Sequence, residues 1–272
     1  MKVCIAGKNN IAVDVCEYIL LHYENVVLYA IHNSNDDGVD NWQRSFRKYA
    51  SEHPKIQLTT LESVYNINDL VFISTEYDKI IKPNLFRSTR LYNIHFSLLP
   101  AYKGMYTAAL PILYGESYTG VTLHCIDSGI DTGDIIDQTK IRIANRETAY
   151  SLYHKFLEKG TNLVIRNINK LLRGNYSCYP QSPMGSSYYS KNTIDYANLS
   201  MNLNSTAQQI DQQIRAYYFP VFQFPVVHNI PIHHTKILKS KSQKKPGVIL
   251  KETNTFIILS TIDYDIKLYK VN

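Results

Sequence analysis

Short apolar runs alternate with amphipathic stretches through the amino-terminal part of the chain, and this alternation narrows the possible folds most. Lys2 to Ala6 is an apolar run closing in Gly7, and residues 10–24 place Ile11, Val15, Tyr18, Ile19 and Tyr23 at helical spacing. Val26 to Ile31 reads as a second strand, Trp42 to Glu52 as a helix, and Ile56 to Thr59, Val71 to Ser74 and Leu91 to Phe96 as further strands. Strands separated by helices predict an α/β fold, a Rossmann-like, mostly parallel sheet covered on both faces. In such open sheets ligands sit beyond the carboxyl ends of the strands. Gly7 to Asn10, Glu76 to Asp78 and Asn93 to Ser97 all fall at such ends and are expected to share one crevice. The first turn lacks G-x-G-x-x-G, so no dinucleotide fingerprint is present.

Gly120 to Cys125 and Asp134 to Asp137 are expected as strands around a glycine-rich loop. Residues 147–172 suggest one long helix, or two broken at Gly160, with Gly174 as C-terminal cap. Beyond Asn175, Ser, Tyr, Asn and Pro mark a connection. Ser205-Thr206-Ala207-Gln208 has the pattern of a capping box opening a helix to Tyr217. Strand-like stretches follow at Val221–Val227, Lys236–Leu238, Gly247–Leu250, Phe256–Leu259 and Ile266–Tyr269, with Lys239 to Lys245 as a hairpin tip. The expected organisation is an α/β domain over residues 1–180 and a small, mostly β carboxyl-terminal domain over residues 181–272.

Composition is that of a globular protein, with 44% hydrophobic and 19% charged residues, and no apolar run is long enough to span a bilayer. The start is not a secretory signal, and the four cysteines lack metal-site spacing, so reduced thiols in the cytoplasm are expected. A net charge of +6 suits an anionic small molecule but is too mild and dispersed for nucleic acid.

Asn93 and His95 stand at alternate positions of one strand and therefore share a face. An amide donor and an imidazole, joined by Asp131 from a later loop, make a proton-transfer and oxyanion site. Taken singly, His95 is more often a structural histidine, and Asp131 is as readily a turn cap as a catalytic carboxylate. Their setting is more specific. Asn93-Ile94-His95-Phe96-Ser97-Leu98-Leu99-Pro100 is followed by Tyr102-Lys103-Gly104, by Gly120-Val121-Thr122 and by Asp127-Ser128-Gly129-Ile130-Asp131-Thr132-Gly133-Asp134. That ordered string resembles the 10-formyltetrahydrofolate-dependent formyltransferases. The resemblance implies Asn93, His95 and Asp131 as catalytic residues: His95 as base or proton relay, Asp131 orienting it, and Asn93 donating to the formyl oxygen. It implies 10-formyltetrahydrofolate as co-substrate, no metal, and a folate ring held near Glu76, Tyr77 and Asp78 and by Ile126, Asp127, Gly129 and Ile130.

The family divides by acceptor amine. Members that formylate initiator methionyl-tRNA carry a longer basic domain. Here the one basic cluster (Lys236, Lys239, Lys241, Lys244, Lys245) has no interleaved aromatics. Glycinamide-ribonucleotide enzymes are shorter, and the folate-hydrolysing relatives carry an amino-terminal domain not expected before Lys2. Gly7-Lys8-Asn9-Asn10-Ile11-Ala12-Val13 and Arg215-Ala216-Tyr217-Tyr218-Phe219-Pro220 resemble the bacterial dTDP-amino-dideoxyhexose N-formyltransferases. That likeness implies a 3-amino-3,6-dideoxyhexose acceptor used for surface polysaccharide, with 4-amino or UDP-linked sugars as alternatives. Arginine pairs with pyrophosphate and aromatics stack on pyrimidines, so Arg215, Lys191, Tyr188 and Tyr218 or Phe222 are assigned to the nucleotide. Asn9, Asn10 and Glu76 are assigned to the hexose. No membrane partner is expected; a homodimer is, because the short β unit is rich in Ile, Leu, Val and Tyr. A metal hydrolase built on His228, His233 and His234 lacks a carboxylate at ligand spacing. A noncatalytic nucleotide-binding module would leave the Asn-His-Asp set without work.

Overall fold

A computed structural model describes residues 1–271. In chain order the elements are β1 (Lys2–Gly7), α1 (Asn9–His22), β2 (Val27–His32), α2 (Phe46–Glu52), β3 (Ile56–Leu58), α3 (Leu61–Val64), β4 (Leu70–Thr75), β5 (Leu91–His95), β6 (Lys103–Gly104), α4 (Leu110–Leu113), β7 (Tyr118–Cys125) and β8 (Ile135–Arg142). There follow α5 (Ala149–Arg173), β9 (Tyr188–Tyr189), α6 (Ala207–Tyr217), β10 (Val226–Val227), β11 (Ile230–Lys241), β12 (Ile249–Glu252), β13 (Phe256–Leu259) and β14 (Tyr264–Lys270). Two compact units result. The first comprises residues 1–104, 120–141 and 155–188, the second residues 105–119, 142–154 and 189–272. The division expected at residue 180 thus lies near the last junction, while two earlier segments belong with the second unit.

The first unit is built on a sheet of order β3-β2-β1-β4-β5-β7-β8, parallel from β3 to β5 and antiparallel between β5 and β7. From β1 the chain runs outward to β2 on one side and returns to β4 on the other. The loops after β1 and β4 therefore diverge and leave a crevice at their carboxyl ends. Every residue of β4 is buried, as expected of a parallel strand covered on both faces. Ile11, Val15 and Ile19 form the fully buried face of α1.

Several local expectations change. The helix expected over Trp42–Glu52 begins only at Phe46, because Ser45 caps it by accepting from the Lys48 N–H. No break occurs at Gly160: α5 is continuous, and the missing side chain lets Ile11 and Phe96 pack closely there. The strand expected at Asp134–Asp137 runs on to Arg142.

The second unit lays the apolar face of α6 on an antiparallel sheet of order β10-β11-β14-β13-β12, with Ile210, Ile214, Val227, Ile232, Ile257, Leu259, Ile266 and Leu268 in its core. The capping box is Thr206 with Gln209, one residue later than expected. Val221–Phe224 is not a strand, since Phe222 and Gln223 both donate to the Phe219 carbonyl in a tight turn. β11 absorbs the start of the expected hairpin tip, as its ladder with β14 runs to Lys241. Among the described residues no helix is long and apolar enough to cross a membrane.

Candidate active site

The three residues singled out for chemistry meet at the end of β5. Register sets Asn93 opposite His124 and His95 opposite Thr122 across the β5–β7 pair. The loop between β7 and β8 returns Asp131 to the same place. Its carboxylate lies 3.4 Å from His95 Nδ1 through Oδ2 and 3.6 Å from His124 Nε2 through Oδ1. Oδ1 also accepts from Asn93 Nδ2 at 3.2 Å, and Oδ2 from the Gly104 N–H at 2.9 Å. Gln181 anchors the loop, its Nε2 donating to the carbonyls of Asp131 and Gly133, both at 2.8 Å.

Proton positions follow from these partners. A carbonyl only accepts, so the 2.8 Å contact between His95 Nε2 and the Tyr102 carbonyl places a hydrogen on Nε2. In the neutral ring the lone pair then sits on Nδ1, facing Asp131. Fixing the tautomer, a task expected of Asp131, falls to the Tyr102 carbonyl. His124 is the mirror case: Nδ1 donates to the Cys125 carbonyl at 2.7 Å, and Nε2 accepts from Asn93 Nδ2 at 3.1 Å. Both Asn93 amide hydrogens are thus engaged within the site.

Burial pushes the His95 imidazole below its usual range, outweighing the opposing pull of Asp131. Burial alone would raise the Asp131 carboxyl. The facing His95, the nearby His124 ring and the Gly104 N–H more than offset this and hold it at about 2. The site therefore rests as a neutral imidazole beside a carboxylate. Its main chain is unusual as well. Asn9, Glu76, Tyr102 and Asp131 adopt left-handed φ of 63°, 62°, 58° and 54°, a conformation that disfavours ordinary side chains.

The remaining candidates occupy varied places. Asn9 reaches Glu76, Nδ2 to Oε2 at 3.5 Å, across the β1–β4 crevice. The Asn10 side chain accepts from the Arg44 N–H and so braces that loop. Tyr77 and Ile126 pack against the core cluster around Phe72. Asp78 accepts from the backbone and hydroxyl of Ser34. Asp127 accepts from the Gly129 N–H and the Thr132 hydroxyl, which ties the loop carrying Ile130. Tyr188, in the first unit, is exposed. In the second unit the Lys191 carbonyl accepts from Tyr106, Arg215 and Tyr218 line one cavity, and exposed Phe222 stacks on Phe219 with ring centres 5.2 Å apart.

Sequence reasoning missed His124 and Gln181. His124 carried a signal: it shares a strand face with Thr122, a position already singled out. Gln181 sat in the stretch read as a connection. Of the histidines weighed as metal ligands, His228 donates to the Gly247 carbonyl and His234 accepts from Arg146. Among the described residues no three His, Cys, Asp or Glu side chains are grouped to hold a metal ion.

A family model described as "Formyl transferase" matches residues 43–168. WlaRD, a sugar 3N-formyl transferase crystallised in the presence of dTDP and 5-N-formyl-THF, is 40% identical with a TM-score of 0.91, over all of this chain and 98% of that one. The N-formyltransferase from Helicobacter canadensis, in complex with folinic acid and dTDP-3-aminofucose, is 39% identical with a TM-score of 0.91 over the full length of both chains. Methionyl-tRNA formyltransferase of Pseudoalteromonas translucida (strain TAC 125) is 31% identical over 181 residues, 63% of this chain and 56% of that protein. The match thus spans little more than half the length of that curated relative. With this likeness and the clustered Asn93, His95 and Asp131 in view, the chain belongs to the formyltransferase family.

Proposed function

We propose that this protein transfers the formyl group of 10-formyltetrahydrofolate to the amine of a dTDP-linked amino-dideoxyhexose, a 3-amino-3,6-dideoxyhexose in preference to a 4-amino or UDP-linked sugar. The observation that carries the reading is the convergence of His95, Asp131 and Asn93 at a strand end. Full-length likeness to two enzymes described with dTDP or a dTDP-3-amino sugar supports the acceptor.

In this reading the neutral sugar amine attacks the formyl carbon, and the formyl oxygen becomes an oxyanion. That oxygen takes over one of the Asn93 N–H groups now held by His124 and Asp131. His95 Nδ1 accepts the proton from the attacking nitrogen, and Asp131 stabilises the resulting imidazolium. The proton moves to the folate N10 as its bond to the formyl carbon breaks. Asn9, Asn10 and Glu76 are proposed for the hexose, residues Glu76–Asp78 and Ile126–Ile130 for the folate, and Tyr188, Lys191, Arg215, Tyr218 and Phe222 for the nucleotide. A cytoplasmic homodimer serving surface polysaccharide synthesis completes the proposal.

The test supplies purified protein with 10-formyltetrahydrofolate and a panel of 3-amino and 4-amino dTDP- and UDP-sugars, and reads the gain of one formyl group by mass spectrometry. Formylation of a dTDP-3-amino sugar well above the rest is expected. Formylation of methionyl-tRNA with no sugar product would overturn the reading.

A further inference from the structure

The lysine-rich stretch that ends β11 lies outside the candidate active site. Residues 236–251 carry six lysines and no carboxylate, and the fold concentrates that bias at one end of the second unit's sheet. Lys239 and Lys241 alternate with Ser240 and Ser242, whose hydroxyls both donate to Asp265. The serines therefore face the covered side and the two lysines point outward, where both are exposed. Lys244 and Lys245, also exposed, sit on the loop that leads to β12.

That loop is tied to the turn between β13 and β14. The Ser242 N–H donates to the Asp263 carbonyl at 3.0 Å and the Gly247 N–H to the Ser260 carbonyl at 2.8 Å, while the Ser260 hydroxyl donates to the Lys244 carbonyl at 2.7 Å. Three exposed apolar side chains are thereby set among the lysines. They are Val248 at 43%, Ile262 at 56% and Tyr264 at 40%, the last paired with Lys241 across the β11–β14 ladder.

The carboxylates of this sheet are committed elsewhere. Asp265 is buried and holds the two serines; Asp263 accepts from the Ala207 and Tyr264 N–H groups and the Thr261 hydroxyl; Glu252 pairs with Lys270 at 2.7 Å. Among the described residues none of the four lysine ammonium groups meets a carboxylate.

Lysine is a hydrated point charge without the planar fork that singles out one phosphate, so four of them suit a diffuse anionic surface better than a single ligand. The aliphatic side chains among them have no flat face on which a base could stack. They gain instead by entering the boundary between lipid headgroups and acyl chains, where an amphipathic tyrosine is also favoured. We propose that this edge docks the protein peripherally on an anionic lipid bilayer. Val248, Ile262 and Tyr264 dip below the headgroups, and Lys239, Lys241, Lys244 and Lys245 meet the lipid phosphates. Such docking needs no spanning segment, and the inference does not rest on the formyl-transfer reading.

Flotation of the full-length protein with vesicles of phosphatidylcholine, alone or with about 30% phosphatidylglycerol, at about 0.15 M salt tests it. The anionic vesicles should carry the protein and the neutral ones should not. Lys239→Gln/Lys241→Gln/Lys244→Gln/Lys245→Gln should weaken partitioning by roughly 10²-fold or more, and Val248→Ser/Ile262→Ser, with its charge intact, by about tenfold. All the substituted residues are exposed, and thermal unfolding verifies that both variants fold. No binding to anionic vesicles, equal binding to neutral ones, or binding unchanged in either folded variant overturns the proposal. So does tighter binding to mixed-sequence RNA than to vesicles, or self-association abolished by the apolar variant, which would assign the edge to a second copy of the chain.

Discussion

Asn93 and His124 face each other across the β5–β7 pair, and the asparagine amide donates to His124 Nε2 at 3.1 Å. The same amide donates to Asp131 Oδ1 at 3.2 Å, so one side chain links an imidazole and a carboxylate. Strand pairing thereby holds the Asn93 amide between a ring nitrogen and a carboxylate.

Replacing His95 or Asn93 should cost turnover rather than binding. His95→Asn should lower kcat by roughly 10²–10⁴-fold and Asn93→Ala by roughly 10²–10³-fold. Single-turnover formyl transfer reads the rates and calorimetry the affinities. Wild-type rates in both variants would remove the mechanism.

The acid limb of kcat/KM should lie below the ordinary histidine value of 6.5, because burial lowers the His95 pKa. Asp131→Asn should move that limb lower still, since the carboxylate is what pulls the pKa back up. A pH–rate profile of both proteins decides this; an upward move in the variant contradicts the assignment.

Asp131 also ties stability to pH. Its folded pKa of about 2 lies below the ordinary 3.8, so the unfolded chain takes up the proton first as pH falls. The stabilisation is complete above the unfolded value and is lost as pH drops through the folded one, roughly 2 kcal/mol in all. Urea unfolding across this window should show a shallower slope in Asp131→Asn than in wild type, the remainder coming from other depressed carboxylates such as Asp36 and Asp137.

Gln181→Leu keeps a similar volume but releases the carbonyls of Asp131 and Gly133. The loop should loosen, with kcat falling about tenfold and KM changing little, because only placement of the carboxylate is lost. Partial recovery in Gln181→Asn, which retains the amide, separates positioning from general destabilisation.

Gly160→Ala sets helix propensity against packing. The new Cβ would lie 3.0 Å from Ile11 Cδ1 and 3.2 Å from Phe96 Cε1, both core side chains with little room to retreat. Overpacking of about 1–3 kcal/mol should outweigh the roughly 1 kcal/mol gained in propensity, giving a lower unfolding midpoint.

Much of the site was legible because it depends on local rules. Period-two alternation put Asn93 and His95 on one face, and apolar runs marked the strand ends where Glu76 and Asn9 lie. What escaped depends on register or main chain. His124 enters through strand pairing, and no residue-type reading shows that the Tyr102 carbonyl fixes His95. Gln181 lay in polar sequence with no periodicity to flag it. The four-residue spacing of Asp211 and Arg215 was readable as a helical ion pair, which the assignment of Arg215 to a ligand passed over.

The left-handed backbone at Glu76, Tyr102 and Asp131 limits how this enzyme can drift or be re-engineered. A library aimed at a new acceptor can sample neighbouring side chains freely. At these three positions valine, isoleucine and threonine will drop out before selection for activity begins, because the main chain rejects them. At Glu76 and Tyr102 glycine and asparagine will survive even where they add no useful contact, so enrichment at these two positions reports backbone tolerance rather than substrate choice.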